Sequence, residues 1–178
     1  MAISQQNLIQ SIESLDLEGV KQALSQGVDP NFIDAEKGPI ISILCDGLFV
    51  WWEEICDAYQ AGAPLTEEQK QQKLQVYLDI LDVLIGANVN VHLWDSEEFY
   101  GPLWDAASAA CVPVVLRLLK EGVNPNTKDD EDDTILTSIS RIWFDCDYDE
   151  VDWSDALAEM KQTLETLREH GAKMTKEL

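Results

Sequence analysis

The residues able to do chemistry do not assemble into a reaction centre. His92 and His170 lie far apart, and neither sits beside a nucleophile motif. The sequence contains no Gly-x-Ser-x-Gly elbow and no glycine-rich phosphate loop. Cys45, Cys56, Cys111 and Cys146 include no Cys-x-x-Cys pair. That spacing points to reduced, mostly buried thiols rather than to a metal site or a disulfide framework. Asp145-Cys146-Asp147-Tyr148-Asp149 alternates acids as a calcium loop does at its start. The pattern then breaks: Glu150 stands where the sharp turn needs glycine, and Ala156 stands where a bidentate glutamate belongs. The reading is therefore a non-enzyme with no cofactor and no bound metal.

What the sequence does carry is charge. It has 34 acids against 12 bases, a formal charge of −22. Such a field repels nucleic-acid phosphates and anionic lipid, and it attracts basic proteins. The acids cluster. Asp95, Glu97 and Glu98 form one group, and Asp129, Asp130, Glu131, Asp132 and Asp133 form a second. Aromatic residues interleave with them. Trp94, Phe99 and Tyr100 flank the first group, while Trp143 and Tyr148 accompany Asp145, Asp147 and Asp149. Trp51 and Trp52 are adjacent, so one helix face cannot bury both. Tryptophan and tyrosine enrich binding hot spots because they bury much area at low entropic cost. These residues are the candidate partner-binding set.

The elements that position them follow from repetition. One domain of 178 residues is expected. The first residues lack a basic segment followed by an apolar run, and the most apolar stretch, Pro39 to Trp52, is too short to span a bilayer. A cytoplasmic protein, a monomer when free, is expected. A motif of glycine, a small apolar residue, Asn or Asp, any residue, then Asn recurs as Gly27-Val28-Asp29-Pro30-Asn31, Gly86-Ala87-Asn88-Val89-Asn90 and Gly122-Val123-Asn124-Pro125-Asn126. Gly171-Ala172-Lys173-Met174 is a degenerate fourth copy. Each follows an apolar series at helical spacing, such as Val114, Val115, Leu118 and Leu119. The glycine supplies the left-handed residue that ends the helix, and the Asn or Asp side chain bonds its own backbone to turn the chain.

These residues resemble the ankyrin repeat. Gly101-Pro102-Leu103-Trp104-Asp105-Ala106-Ala107 occupies the place of the family's Thr-Pro-Leu-His-x-Ala-Ala, and Gly38-Pro39-Ile40-Ile41 and Thr134-Ile135-Leu136-Thr137 fall at the same place in the second and fourth units. The resemblance implies an all-α solenoid of helix-turn-helix units, with repeats at about 1–36, 37–97, 98–131 and 132–178. It also implies that finger turns and inner helices form the partner-binding face, which would place both acidic groups there. The family's histidine, which ties adjacent repeats by hydrogen bonds, is replaced by Ile41, Trp104 and Thr137, so packing is expected to replace that network.

The four glycines are separated by 59, 36 and 49 residues. Against a period of about 33, the second and fourth units carry long insertions. In the second, the inner helix is expected to run through Trp51, Trp52 and Ile55 to near Gly62, and Thr66 with Gln69 reads as a capping box. In the fourth, Arg141 to Trp153 reads as a loop, with Ser154 capping the last helix. The function that follows is an inhibitor or immunity-type protein that masks a basic surface of a partner protein. The alternative is a general adaptor with no inhibitory role.

Overall fold

In the computed structural model of the chain, residues 5–93, 101–129, 131–144 and 154–178 are described, with 141–144 and 154–157 described by their backbone alone. The fold is mostly helical. In chain order the helices are α1 (Gln5–Glu13), α2 (Leu17–Ser25), α3 (Ile40–Gln60), α4 (Glu67–Gly86), α5 (Pro102–Ser108), α6 (Val112–Lys120), α7 (Ile135–Phe144) and α8 (Ser154–Glu169). They pack as four consecutive pairs, α1 on α2, α3 on α4, α5 on α6 and α7 on α8. Across pairs, α1 touches α3, α3 touches α5 and α5 touches α7, while α2 lies on α4 and α6 on α8. The core runs along this row and includes Leu8, Ile12, Ile40, Leu48, Leu81, Leu103 and Leu118. Ala106 and Ala107 on α5 are fully buried, and their small side chains let that short helix approach α3 closely.

The second helix of each pair ends in the same way, one that α1, α3 and α5 share. Val28 donates to Ala23 O, Val89 to Leu84 O, Val123 to Leu118 O and Ala172 to Leu167 O, the long bond of a Schellman cap. The residue before each donor takes positive φ: Gly27, Asn88, Gly122 and Gly171. This corrects the alignment of the second turn. Gly86 is still helical, and Asn88 is the left-handed residue. Asparagine tolerates that conformation better than other side chains do. The equivalent series is then Gly27, Asn88, Gly122, Gly171. Four residues on it reads Asn31, His92, Asn126, Thr175. Asp29, Asn90 and Asn124 each accept a bond from the backbone N–H two residues ahead, at 2.9, 3.0 and 3.0 Å.

The extended second pair behaves as its sequence indicates at both ends. α3 stops at Gln60 with Gly62 at positive φ, and Thr66 and Gln69 form a reciprocal capping box at the start of α4. Between those ends the structure differs from expectation. Trp51 and Trp52 are both buried, at 7% and 5% exposure. The single-face argument failed because α3 has neighbours on several sides, α1, α4 and α5. α7 also extends four residues into the stretch read as a loop, reaching Phe144, since no proline or glycine interrupts it. A two-stranded hairpin, β1 (Ile33–Asp34) and β2 (Gly38–Pro39), leads into α3, pairing Ile33 with Pro39 and Asp34 with Gly38. Lys128 and Thr134 form the corresponding bridge before α7.

Candidate functional site

The acidic turn from Asp129 to Asp133 is built by its own carboxylates. Asp129 Oδ1 accepts from the N–H groups of Glu131 and Asp133 at 3.1 and 2.9 Å, and Asp129 N–H donates to Asp133 O. Asp132 takes φ of +65°, a conformation aspartate tolerates. Asp133 Oδ1 accepts from Thr175 Oγ1 at 3.0 Å, and Lys128 Nζ pairs with Asp132 at 2.9 Å. Asp129 and Asp133 therefore hold the turn and its neighbour in place. Among the described residues of the group, Glu131 and Asp132 are exposed. Asp34 plays the same part in the first hairpin, accepting from Glu36 and Lys37 N–H. The signal was present in sequence: Asp34, Asp95 and Asp129 each lie three residues after Asn31, His92 and Asn126.

The other sequence candidates divide. Trp94, Asp95, Glu97, Glu98, Phe99, Tyr100, Asp130, Asp145, Asp147, Tyr148 and Asp149 lie outside the described residues. Trp143 falls in the last turn of α7. Trp51 and Trp52 belong to the core. Trp51 stacks on Tyr77 of α4 with centroids 5.7 Å apart, and Lys73 Nζ lies 5.7 Å from its ring centroid. Tyr77 Oη donates to Gly47 O at 2.7 Å. Burial raises the Tyr77 phenol well above its usual pKa, with Glu54 adding to the effect.

Six of the twelve bases pair with the protein's own acids, Lys128 with Asp132 among them. Lys21 pairs with Glu18, Lys37 with Glu13, Lys70 with Glu67, and Lys73 with Glu54. Arg117 bridges Asp82 of α4 and Glu121. These two hydrogen bonds hold its guanidinium above the usual arginine range. The exposed acids left over give the surface its sign.

The loops are joined by asparagine. Asn31 Nδ2 donates to Asn88 O at 3.1 Å, and Asn90 N–H donates to Asn31 Oδ1 at 2.6 Å. Asn126 repeats this on the last turn, with bonds to Gly171 O at 3.0 Å and from Lys173 N–H at 2.8 Å. The expectation that packing alone joins the units needs revision. Trp104 Nε1 donates to Ser138 Oγ of α7 at 3.3 Å, while within the last unit Thr137 Oγ1 accepts from Thr175 N–H at 2.7 Å.

One ionisable group in the core was not foreseen. Asp105 of α5 is only 9% exposed. Burial, with the nearby charge of Asp46, pushes its carboxyl well above the usual range. Burial likewise raises the Cys45 thiol, and that of Cys111 to about 11. Among the described residues, no group of three His, Cys, Asp or Glu side chains is placed to hold a metal ion, and no helix is long and apolar enough to cross a membrane.

Two clefts flank this core. One of about 220 Å³ lies between the α4–α5 and α6–α7 connections, lined by Val91, His92, Trp104, Val123, Asn124 and Lys128 among others. A second, of about 230 Å³, lies beside Trp51, Trp52, Leu74 and Val112. No family model matches the chain, and no curated protein matches it.

Proposed function

We propose that the chain is an ankyrin-type stack that works as a protein-binding module, of the inhibitor or immunity type, masking a basic surface of its partner. Supporting the architecture are the four consecutive helix pairs, the four equivalent Schellman turns and the asparagine links between successive turns. The observation that carries the function is the net charge of −22, with six of the twelve bases already paired with the protein's own acids. A positive partner meets exposed carboxylates, Glu131 among them, on a turn already ordered by Asp129. Preorganisation lowers the entropic cost of binding, and the field speeds encounter. No catalytic role, no cofactor and no nucleic-acid partner belong to this reading.

The test is to capture partners on immobilised protein, elute them with a salt gradient, and measure association of the identified partner between about 50 and about 500 mM salt. Association is expected to slow at least tenfold as salt rises. An identified partner that is acidic, or a rate indifferent to salt, would sink the proposal. The adaptor reading differs in one respect: its partner remains active when bound.

A further inference from the structure

The asparagine links are incomplete, and the gap coincides with a cleft. Asn31 and Asn126 each clamp the next turn by the same two atoms: the carbonyl of the left-handed residue, Asn88 or Gly171, and the N–H two residues later, Asn90 or Lys173. Between the second and third turns the clamping position is His92. The corresponding atoms, Gly122 O and Asn124 N–H, have no partner among the described residues. An imidazole cannot take both. Its two nitrogens point away from one another, whereas a carboxamide offers its donor and acceptor side by side. Of the open pair, Asn124 lines the 220 Å³ cleft with His92, Trp104 and Val123, so apolar surface lies beside its N–H, and Gly122 sits just outside the lining.

We infer that this cleft is a binding site for a side-chain carboxamide, an asparagine of a partner protein, which completes the link that His92 leaves open. The protein itself supplies the template, since its own asparagines bind the identical backbone pair twice. Trp104 and Val123 give the ligand's remaining surface an apolar bed, while the pair fixes its orientation. The first turn also has its pair open among the described residues, Gly27 O and Asp29 N–H, but it borders neither of the two clefts. The inference goes beyond the charge-based reading and does not depend on it, because a carboxamide is neutral.

The experiment uses the full chain and two uncharged capped peptides, acetyl-Gly-Asn-Gly-amide and the near-isosteric acetyl-Gly-Leu-Gly-amide, followed by amide NMR. The asparagine peptide is expected to shift the Asn124 resonance saturably, at least threefold more than the leucine peptide does and more than it shifts Asp29. In the free protein the Asn124 amide should exchange with solvent at least tenfold faster than those of Asn90 and Lys173. His92→Asn is expected to end the titration and raise the melting temperature by about 2–4 °C, since its own amide then occupies the pair. An Asn124 amide as protected as Lys173, an unmoved resonance, an equal response at Asp29, or unchanged titration in a folded H92N each overturns the site. The exchange comparison needs no variant, so the inference stays testable if H92N misfolds.

Discussion

Trp51 of α3 lies nearly parallel to Tyr77 of α4, with ring planes 21° apart and centroids 5.7 Å apart. The tyrosine hydroxyl reaches back to the carbonyl of Gly47. The two longest helices are thereby joined twice by one residue, through an apolar stack and through a hydrogen bond into the helix backbone. Tyr77→Phe keeps the stack and removes the bond, so it should cost about 1 kcal/mol. Tyr77→Ala loses both and should cost about 3–5 kcal/mol. Urea denaturation of the two variants separates the contributions. Equal losses would mean that the ring contributes nothing.

Asp105 makes stability depend on pH in an unusual direction. Its native carboxyl holds its proton to higher pH than in the unfolded chain, because burial and then Asp46 disfavour the charge. Between the unfolded value of about 3.9 and the raised native one, the folded state binds the extra proton. Stability from this group is therefore full below the unfolded value and is lost as pH rises through the native value. Asp105→Asn should flatten that slope. It should also stabilise the protein at pH 7 by roughly 1–3 kcal/mol, the scale of a buried polar group without full compensation. Denaturation midpoints of both proteins from pH 4 to 8 provide the check, and a wild type that gains stability relative to D105N on going alkaline contradicts the assignment.

The asparagine links should be worth measurable stability despite their exposure. Asn31→Ala and Asn126→Ala each remove two bonds between turns. Each is expected to cost about 1–2 kcal/mol and to lower the melting temperature by roughly 2–6 °C. The two sites lie on different junctions, so the double variant should show near-additive losses. Calorimetry of the three variants tests this, and a stability-neutral N126A would show that the link contributes nothing.

Within the acidic turn, structural and binding roles are separable. Asp129→Ala strips the acceptor from two backbone N–H groups and should destabilise by about 1 kcal/mol. Glu131→Gln removes one charge from an exposed position and should leave stability within about 0.5 kcal/mol. Under the proposed function, E131Q slows association with a basic partner and D129A has its larger effect on the fold. Thermal melts beside association rates distinguish them. If E131Q associates as fast as the parent at low salt, this turn is not part of the contact.

How much of this was legible in the sequence depends on the range of the interaction. Helix periodicity, the glycine stops at Gly27, Gly122 and Gly171, and the Thr66–Gln69 capping box all close within a few residues, and the structure contains them. The second turn shows where local rules end. Gly86 and Asn88 could both take positive φ, and glycine is the better local choice. Asn88 is selected instead, and its carbonyl accepts from Asn31, 57 residues earlier. The tryptophans teach the same point. Adjacent residues on one helix point to different sides, and only the number of neighbours around α3 decides whether both sides are covered. Asp129 was visible as charge, but its bonds to Glu131 and Asp133 depend on the fold of the turn.

Sequence alone determined the helices, the glycine stops and the sign of the surface, because periodicity, caps and net charge are properties of neighbouring residues or of simple sums. Only the tertiary structure decided which asparagine turns the chain, which aromatic rings are sealed, and which loop junction is left open at His92. Those outcomes depend on atoms brought together from distant parts of the chain, and no local pattern encodes their distances.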